Sequence, residues 1–335
     1  MTTNRIGYID FVKGLCLICV FLGHSNITLG SVTHLWQSFY MPAFFLLSGY
    51  CYKKTNSFWN NLWRDVKGLL LVYYCWGLGI LAIIVGYKLM HNVSVADFIP
   101  LAERTLLGKA QHQLVEPIWF LMALFTIRVI WNLISFSISR EGIQAAVILV
   151  LAIAGFLMNA YGIRETPFRL ETAFVCFPFF FLGSFTRSRS ANGGQQALTW
   201  PWLLGIAIVW VAGSLLNVRL YGHNVSVWSD TYNFPLLFYI NAVFGTLLFL
   251  NIGQLIEKSS SRLCRATDAF FRYFGEHSLA ALVTLNIAVF LATVVINQCI
   301  PGGHPFCTLC LALCLSYGFT KVLQWKPLRW LLGKW

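Results

Sequence analysis

The sequence predicts an all-α protein, a polytopic integral membrane bundle of about ten transmembrane helices. Of its 335 residues, 58% are hydrophobic and only 11% are charged, whereas soluble domains carry about 25% charged residues. A soluble fold of this length cannot hide so much apolar surface, because accessible area grows nearly as fast as mass. Long unbroken apolar runs such as 69–85 also exclude a membrane β-barrel, whose strands alternate in polarity.

The apolar runs follow one another along the whole chain, as consecutive membrane spans do. Each span needs about 20 residues to cross the hydrocarbon core of a bilayer. No polar stretch is long enough to be a linker, so residues 1–335 are predicted to form a single membrane domain. The predicted spans, with approximate edges, are 11–29, 36–52, 68–87, 117–138, 143–160, 172–186, 200–217, 234–256, 277–298 and 306–324.

The formal charge of +12 indicates an orientation in the membrane rather than a nucleic-acid partner. Cytoplasmic loops of membrane proteins carry an excess of Lys and Arg. When the loops are assigned alternately to two sides, most basic residues fall on the side of the N-terminus, among them Lys53, Lys54 and Arg64. We therefore expect both termini to be cytoplasmic and no nucleic acid to be bound.

The first predicted span contains three ionisable residues, Asp10, Lys13 and His24. Such residues are costly at membrane depth and therefore indicate function. Asp10 and Lys13 can form a pair at helical spacing, which by itself is a structural feature of the membrane interface. His24 follows Lys13 by 11 residues, which is close to three helical turns and about 16 Å of rise. One helix face thus presents a cation near the inner surface and an imidazole, suited to proton transfer near neutral pH, near the outer one.

The second predicted span adds polar residues at its two ends. Tyr40 and Pro42 lie near its outer start, and Ser48, Gly49 and Tyr50 lie near its inner end. Proline early in a helix is ordinary, and a Ser-Gly pair permits close helix approach. A structural role and a functional role for these residues are about equally well supported by the sequence.

The fourth predicted span begins with Glu116 and Trp119 at the outer side. Glu116 lies at the predicted level of His24, where a carboxylate can orient an imidazole and fix its tautomer. His112, four residues earlier, is a further outer candidate, although most loop histidines are simply solvated. A cluster near the C-terminus comprises His304, Cys307, Cys310 and Cys314. We do not expect it to bind a metal, because its thiols lie in an apolar segment.

Four short motifs follow one another along the chain: Asp10-x-x-Lys13-Gly14, Leu22-Gly23-His24, Tyr40-Met41-Pro42-x-Phe44-Phe45-x-x-Ser48-Gly49-Tyr50 and Trp119-Phe120-Leu121. In this order and spacing they resemble the motifs of the membrane-bound acyltransferase 3 family, and most closely those of its fucose-4-O-acetylase-like branch. The Lys13-x10-His24 spacing is similar to the family's basic-x10-His motif. Tyr40 stands where the branch usually has a histidine. A late stretch, Phe274-Gly275-Glu276-His277-Ser278-Leu279, is similar to the family's G-x-N-S-L stretch, but it lacks the usual Tyr and His, with Leu282, Leu285 and Asn286 in that area.

The resemblance implies a multi-pass enzyme of the bacterial cytoplasmic membrane, surrounded by membrane lipid. It would move an acyl group, usually acetyl, from cytoplasmic acetyl-CoA to a hydroxyl of an extracytoplasmic sugar or surface polysaccharide, without a metal. His24 is expected to act as a general base or as a transient acyl carrier, with Glu116 beside it. The other expected contacts are Lys13, Asp10, Ser48 and Arg64 for the donor, and Tyr40, Trp119 and His112 for the acceptor.

Two other classes of protein also fit these features. A multi-span transporter or lipid-linked glycan flippase would likewise have intramembrane ionisable residues and helices interrupted by Gly and Pro. An inactive family member that acts as a sensor or scaffold is the third hypothesis. Acetyl turnover and binding of coenzyme A distinguish the enzyme from both.

Overall fold

The computed structural model describes residues 5–89, 99–109, 116–190, 198–300 and 302–333. These residues are almost entirely helical and contain no strand, only an isolated bridge between Ser226 and Thr231. The all-α prediction is therefore confirmed. The α-helices are α1 (Gly7–His24), α2 (Ser31–Gln37), α3 (Tyr40–Cys51), α4 (Phe58–Asp65), α5 (Leu71–Leu89), α6 (Ile99–Leu106), α7 (Trp119–Ser137), α8 (Glu141–Ala160), α9 (Leu170–Ser190), α10 (Trp200–Tyr221), α11 (Pro235–Lys258), α12 (Arg262–Glu276), α13 (Ser278–Cys299) and α14 (Pro305–Leu323).

Nine helical segments within the described ranges are long and apolar enough to cross a membrane. They agree with nine of the predicted spans, so the polytopic membrane bundle is confirmed. The segments are Gly7–His24, Phe58–Gly86, Glu116–Ser137, Glu141–Ala160, Pro167–Arg189, Trp200–Tyr221, Pro235–Lys258, Ser278–Cys299 and Pro305–Leu323.

The predicted span at 36–52 differs from the structure, because the chain breaks there into α2 and α3. Ser38 closes the last turn of α2, where its hydroxyl donates a hydrogen bond to the carbonyl of Leu35 (2.7 Å). The 12 residues of α3 give about 18 Å of rise, which is short of the roughly 30 Å hydrocarbon core. Hydropathy alone therefore overestimated the length of this helix.

The chain divides into two compact units, and the first comprises 1–52, 179–278 and 304–309. Its centre is α1, which packs against α3, α11 and α12. The helix α12 has basic and acidic residues on one side and Phe270, Phe271 and Phe274 on the other. The sequence predicted an inner loop here, because a short amphipathic helix gives no long apolar run.

Glycines allow the helices of the first unit to approach closely. A Cβ on Gly14 would clash with the backbone carbonyl of Phe271, and one on Gly275 with the carbonyl of Asp10. The contact between α1 and α12 is thus backbone against backbone on both sides. Small residues at helix crossings are typical of membrane bundles, where packing rather than hydrophobic burial drives association.

The second unit comprises 53–178, 279–303 and 310–335. Ser57 caps α4 by accepting a hydrogen bond from the backbone N–H of Asn60 (3.3 Å). A short π-helical stretch, Val66–Leu70, then joins α4 to α5. The C-terminal 3₁₀ turn Lys326–Leu332 packs on α5, where the Trp76 indole donates to the carbonyl of Leu331 (3.0 Å). Short π-helical stretches such as Val66–Leu70 are uncommon in proteins, and those that occur often lie at functional sites.

Candidate functional site

His24 is the last residue of α1, and the local sequence explains why the helix ends there. Asn26 adopts a left-handed conformation (φ 56°), which asparagine tolerates better than most residues. The N–H of Ile27 then bonds to the carbonyl of Leu22 (3.1 Å), and that of Asn26 to the carbonyl of Gly23 (3.3 Å). These two bonds form a Schellman motif, which fixes the position of the histidine at the helix end.

The His24 side chain is half-buried, and its ring has no hydrogen-bond or ion-pair partner among the residues that the structure describes. The next residue, Ser25, is 4% exposed, and its hydroxyl also lacks a partner within the described ranges. A buried hydroxyl without a partner is unusual and needs an explanation. An imidazole and a hydroxyl at one helix end, both with unused bonding capacity, can bind polar groups of a substrate. The sequence singled out His24 but not Ser25, because only the fold shows that the serine is buried.

Near the other end of α1, Lys13 lies between two side chains. Its ammonium is 3.5 Å from Oδ1 of Asp10 and donates to Sγ of Cys51 at 3.5 Å. The lysine and aspartate side chains are 20% and 10% exposed, so the pair is largely shielded. The pairing of Asp10 with Lys13 that the spacing suggested is therefore present. Its net charge is close to zero, and the ammonium keeps further donors for a ligand.

The helix α3 carries the two other candidates of the first unit, Tyr40 at its start and Ser48 near its end, and both are half-buried. The neighbouring Gly49 is held against the carbonyl of Phe180, while Gly183 meets the carbonyl of Leu46. The Ser-Gly-Tyr segment is thus at a close crossing with α9. This crossing accounts for the glycine, whereas it does not require the hydroxyl of Ser48.

In the second unit, Glu116 opens a 3₁₀ turn that leads into α7, and Trp119 is the first residue of that helix. Trp119 is 4% exposed, and the guanidinium carbon of Arg169 lies 5.5 Å from the centre of its ring. Arg169 is itself only 1% exposed and is paired with Glu171 at 3.6 Å. The sequence did not single out Arg169, because hydropathy gives no sign that a residue between two predicted spans is buried.

The backbone before α9 is held in an uncommon conformation. Phe168 and Arg169 have φ values of 59° and 54°, which non-glycine residues rarely adopt. The N–H of Phe168 bonds to the carbonyl of Leu107 (2.7 Å), and its own carbonyl accepts from the hydroxyl of Thr126 (2.7 Å). These bonds direct the guanidinium of Arg169 inward toward Trp119.

A second buried charge cluster joins α4 to α7. Asp65, 1% exposed, accepts from Arg128 at 3.0 Å and is 3.4 Å from Arg64. Arg64 also donates to the carbonyl of Lys53, so this donor candidate is fixed at the start of the span. Two buried amides, Asn61 and Asn132, bond to each other nearby (3.3 Å). The sequence missed Asp65, although an acidic residue beside an apolar run is a signal that could have identified it.

The segment before α4 carries further positive charge. The ammonium of Lys54 donates to the carbonyl of Ser135 (2.6 Å) and lies 4.1 Å from the centre of the Phe136 ring. Burial against this surface lowers the pKa of Lys54. Two cations, Arg64 and Lys54, are therefore anchored to neighbouring backbone carbonyls in the second unit.

The predicted site residues divide between the two units. The first unit contains Asp10, Lys13, His24, Tyr40 and Ser48, and the second contains Arg64, Glu116 and Trp119. His112 lies outside the described residues. The placement of Glu116 beside the imidazole, and the binding of donor and acceptor, stay predictions.

The fold and these residues define an integral membrane protein with buried charge clusters and a histidine at a helix end. The family model described as an acyltransferase domain, that of acyltransferase 3, matches residues 6–323. The chain therefore belongs to the acyltransferase 3 family of membrane acyltransferases. No curated protein and no solved structure matches the chain.

Proposed function

We propose that this membrane acyltransferase uses cytoplasmic acetyl-CoA and acylates a hydroxyl of an extracytoplasmic sugar or surface polysaccharide. The observation that carries the proposal is α1, one unbroken helix with the Lys13–Asp10 pair near its start and His24 as its last residue. The two groups are thus about 16 Å apart along one helix axis. The motifs of the first two spans favour the fucose-4-O-acetylase-like branch of the family.

The donor is proposed to bind at the end of the protein that carries Lys13. Ammonium and guanidinium groups bind phosphate oxygens through charge-assisted hydrogen bonds, and Lys13 and Arg64 supply one of each. Asp10 would position Lys13, and Ser48 would add a neutral donor. The pantetheine arm then extends along the helix direction and brings the thioester to His24.

His24 is proposed to perform the proton chemistry by one of two routes. As a general base, its free nitrogen takes the proton of the acceptor hydroxyl while the oxygen attacks the thioester carbon. The C–S bond then breaks, and the thiolate of coenzyme A receives that proton. As a nucleophile, the nitrogen attacks first and forms an acyl-imidazole, which the acceptor hydroxyl then cleaves. The hydroxyl of Ser25 is available to donate a hydrogen bond at the same helix end in either route.

The acceptor is proposed to contact aromatic side chains, as sugars commonly do in protein sites. Tyr40 and Trp119 offer rings, and Trp119 is held in place by Arg169. Glu116 remains our candidate for the carboxylate that orients the imidazole, and His112 for a further acceptor contact. Because Tyr40 replaces the usual histidine of the branch, the acceptor is proposed to differ from fucose.

The test is acetyl transfer by the purified protein in proteoliposomes. Labelled acetyl-CoA is added outside, and a surface-glycan fraction is enclosed inside as the acceptor, on the opposite side of the membrane. We expect His24→Ala to abolish transfer, because both routes need the imidazole, and to leave membrane insertion and thermal stability unchanged. The matched control is His223→Ala, an exposed histidine after α10, which should transfer at the normal rate.

Retained transfer in the His24→Ala variant would contradict the assignment of the histidine. Solute movement without any acyl donor, together with no binding of coenzyme A, would favour a transporter or flippase instead. Trapping of labelled acetyl on the protein in the absence of acceptor would favour the acyl-histidine route over direct transfer.

A further inference from the structure

A cavity of about 190 Å³ lies within the first unit, between α1, α3, α9 and α11. Most of its wall is aliphatic, and the hydroxyl-bearing residues come from the start of α1 and from the ends of α3 and α9. The lining includes Tyr8, Leu46, Tyr50, Leu182, Thr186 and Leu247. None of these residues belongs to the proposed transfer site.

The aliphatic end of the cavity is accessible from the outside of the helices. Leu182 and Leu247 lie on membrane-spanning helices, and they are 36% and 39% exposed. An exposed leucine on such a helix contacts lipid, because only apolar surface is tolerated there. Hydrocarbon can therefore enter the cavity sideways between α9 and α11.

Two tyrosines line the polar end of the cavity, and a cation lies beside one of them. Tyr8 and Tyr50 both line the cavity, and the guanidinium carbon of Arg187 lies 5.3 Å from the centre of the Tyr50 ring. Arg187 pairs with no carboxylate in the part of the chain that the structure describes, whereas Arg5 and Arg272 in the same unit are both paired. Tyrosine and arginine together are typical of the membrane–water interface, where they contact lipid head groups.

The size of the cavity limits what can occupy it. An apolar cavity of about 150 Å³ in another protein holds benzene, so this one accommodates a segment of one hydrocarbon chain. Sites for drug-sized ligands are larger, about 300–1,000 Å³, and a nucleotide would not fit. The size therefore favours a hydrocarbon chain, and the nearby Arg187 favours an anionic head group on it.

We propose that this cavity is a binding site for one anionic phospholipid, separate from the acyl-transfer site. One acyl chain lies among Leu46, Leu182 and Leu247, and the phosphate is held by Arg187 beside the Tyr50 hydroxyl. The lipid would tie α9 and α11 together and so make the first unit dependent on membrane composition.

The test uses the full-length protein in phosphatidylcholine vesicles that contain a minor fraction of phosphatidylglycerol with a photoreactive group on one acyl chain. We expect crosslinks in peptides that contain Leu182 or Leu247, and competition by unlabelled phosphatidylglycerol but not by added phosphatidylcholine. Arg187→Gln should lower the preference for phosphatidylglycerol over a photoreactive phosphatidylcholine about tenfold, since it removes a charged hydrogen-bond donor. Leu247→Trp should block labelling by both lipids, because the indole fills the cavity.

The matched controls are Arg219→Gln, an exposed arginine of α10, and Leu204→Trp, a 63% exposed leucine of the same helix; neither should change labelling. Leu182→Trp tests the other wall of the cavity if the Leu247 variant does not fold. Equal labelling of the two lipids in the unchanged protein, or normal labelling in Arg187→Gln or in both tryptophan variants, would overturn the proposal. Loss of labelling on addition of acetyl-CoA would also overturn it, because the cavity would then belong to the acyl donor.

Discussion

At the scale of residues, the protein separates charges that are neutralised internally from groups that are left for ligands. Asp65 pairs with Arg128 at 3.0 Å and Arg169 with Glu171 at 3.6 Å, so each of these shielded charges has an opposite charge beside it. His24 and Ser25 have no such partners among the described residues. Desolvation makes an unpaired charge far more costly than an unpaired neutral group. An uncharged imidazole and a hydroxyl can therefore stay without partners in a shielded site until a substrate binds, whereas an isolated charge would destabilise that site.

Removing the charge of Asp65 should destabilise the second unit strongly. In Asp65→Asn the guanidinium of Arg128 loses its carboxylate partner at 3.0 Å, and breaking a buried pair on one side costs about 3–5 kcal/mol. We expect a large fall in the midpoint of thermal unfolding in detergent. The control is Glu257→Gln. The side chains of Glu257 and Arg272 are 36% and 31% exposed, and Arg272 keeps its second partner, Asp268. We therefore expect this substitution to lower the free energy of unfolding by at most about 1 kcal/mol. Similar midpoints for the two variants would show that Asp65 is not structurally important.

At the scale of elements, the motif of the first helix is also a packing motif. Gly14 immediately follows Lys13, and it allows the carbonyl of Phe271 to approach the backbone of α1. Gly275 provides the same close approach for α12. The amphipathic α12 thus braces the part of α1 that carries the Lys13–Asp10 pair, which explains why a sequence motif for chemistry contains a glycine.

A side chain at Gly14 should separate α1 from α12. In Gly14→Val the new atoms meet a backbone carbonyl, which cannot rotate away, so overpacking should cost about 1–3 kcal/mol or more. We expect lower thermal stability and weaker binding of coenzyme A, measured on the same preparation. Gly79→Val in α5 serves as the control, since nothing lies within 4 Å of the position of its Cβ. Equal stability and equal binding in both variants would contradict a bracing role for α12.

At the scale of the whole molecule, the proposed function requires a defined orientation, because donor and acceptor lie on opposite sides of the membrane. The positive-inside distribution predicts both termini on the cytoplasmic side. Nine spans are found within the described residues. An even number of crossings therefore requires that the short helix α3, together with its flanking residues, also crosses the membrane.

The orientation can be measured with reporters fused to either end of the chain. We expect a fluorescent reporter that folds only in the cytoplasm to be bright at both termini, and a periplasmic phosphatase to be inactive at both. A fusion of each reporter after Gly222, in the predicted outer loop that follows α10, should give the opposite result. Activity of the phosphatase at the C-terminus would show an odd number of crossings and would remove α3 from the set of spans.

Much of the fold was accessible from the sequence, since apolar runs of about 20 residues have few alternatives to membrane helices. The choice of His24 as a candidate was accessible as well, because its spacing from Lys13 is a local feature, whereas the predicted span 11–29 did not identify it as the last residue of the helix. The partners of buried charges were not accessible. Asp65 and Arg128 are 63 residues apart in the chain, and no periodicity connects them.

The sequence by itself determined the class of this protein, its long membrane helices and, through its motifs, the acyltransferase 3 family. These depend on hydropathy and short spacings, which act over a few turns of chain. Only the tertiary structure decided that Ser25 is buried without a partner, that α12 braces α1 through Gly14 and Gly275, and that a lipid-accessible cavity lies beside Arg187. Burial and close approach arise when distant segments pack together, so no local pattern encodes them.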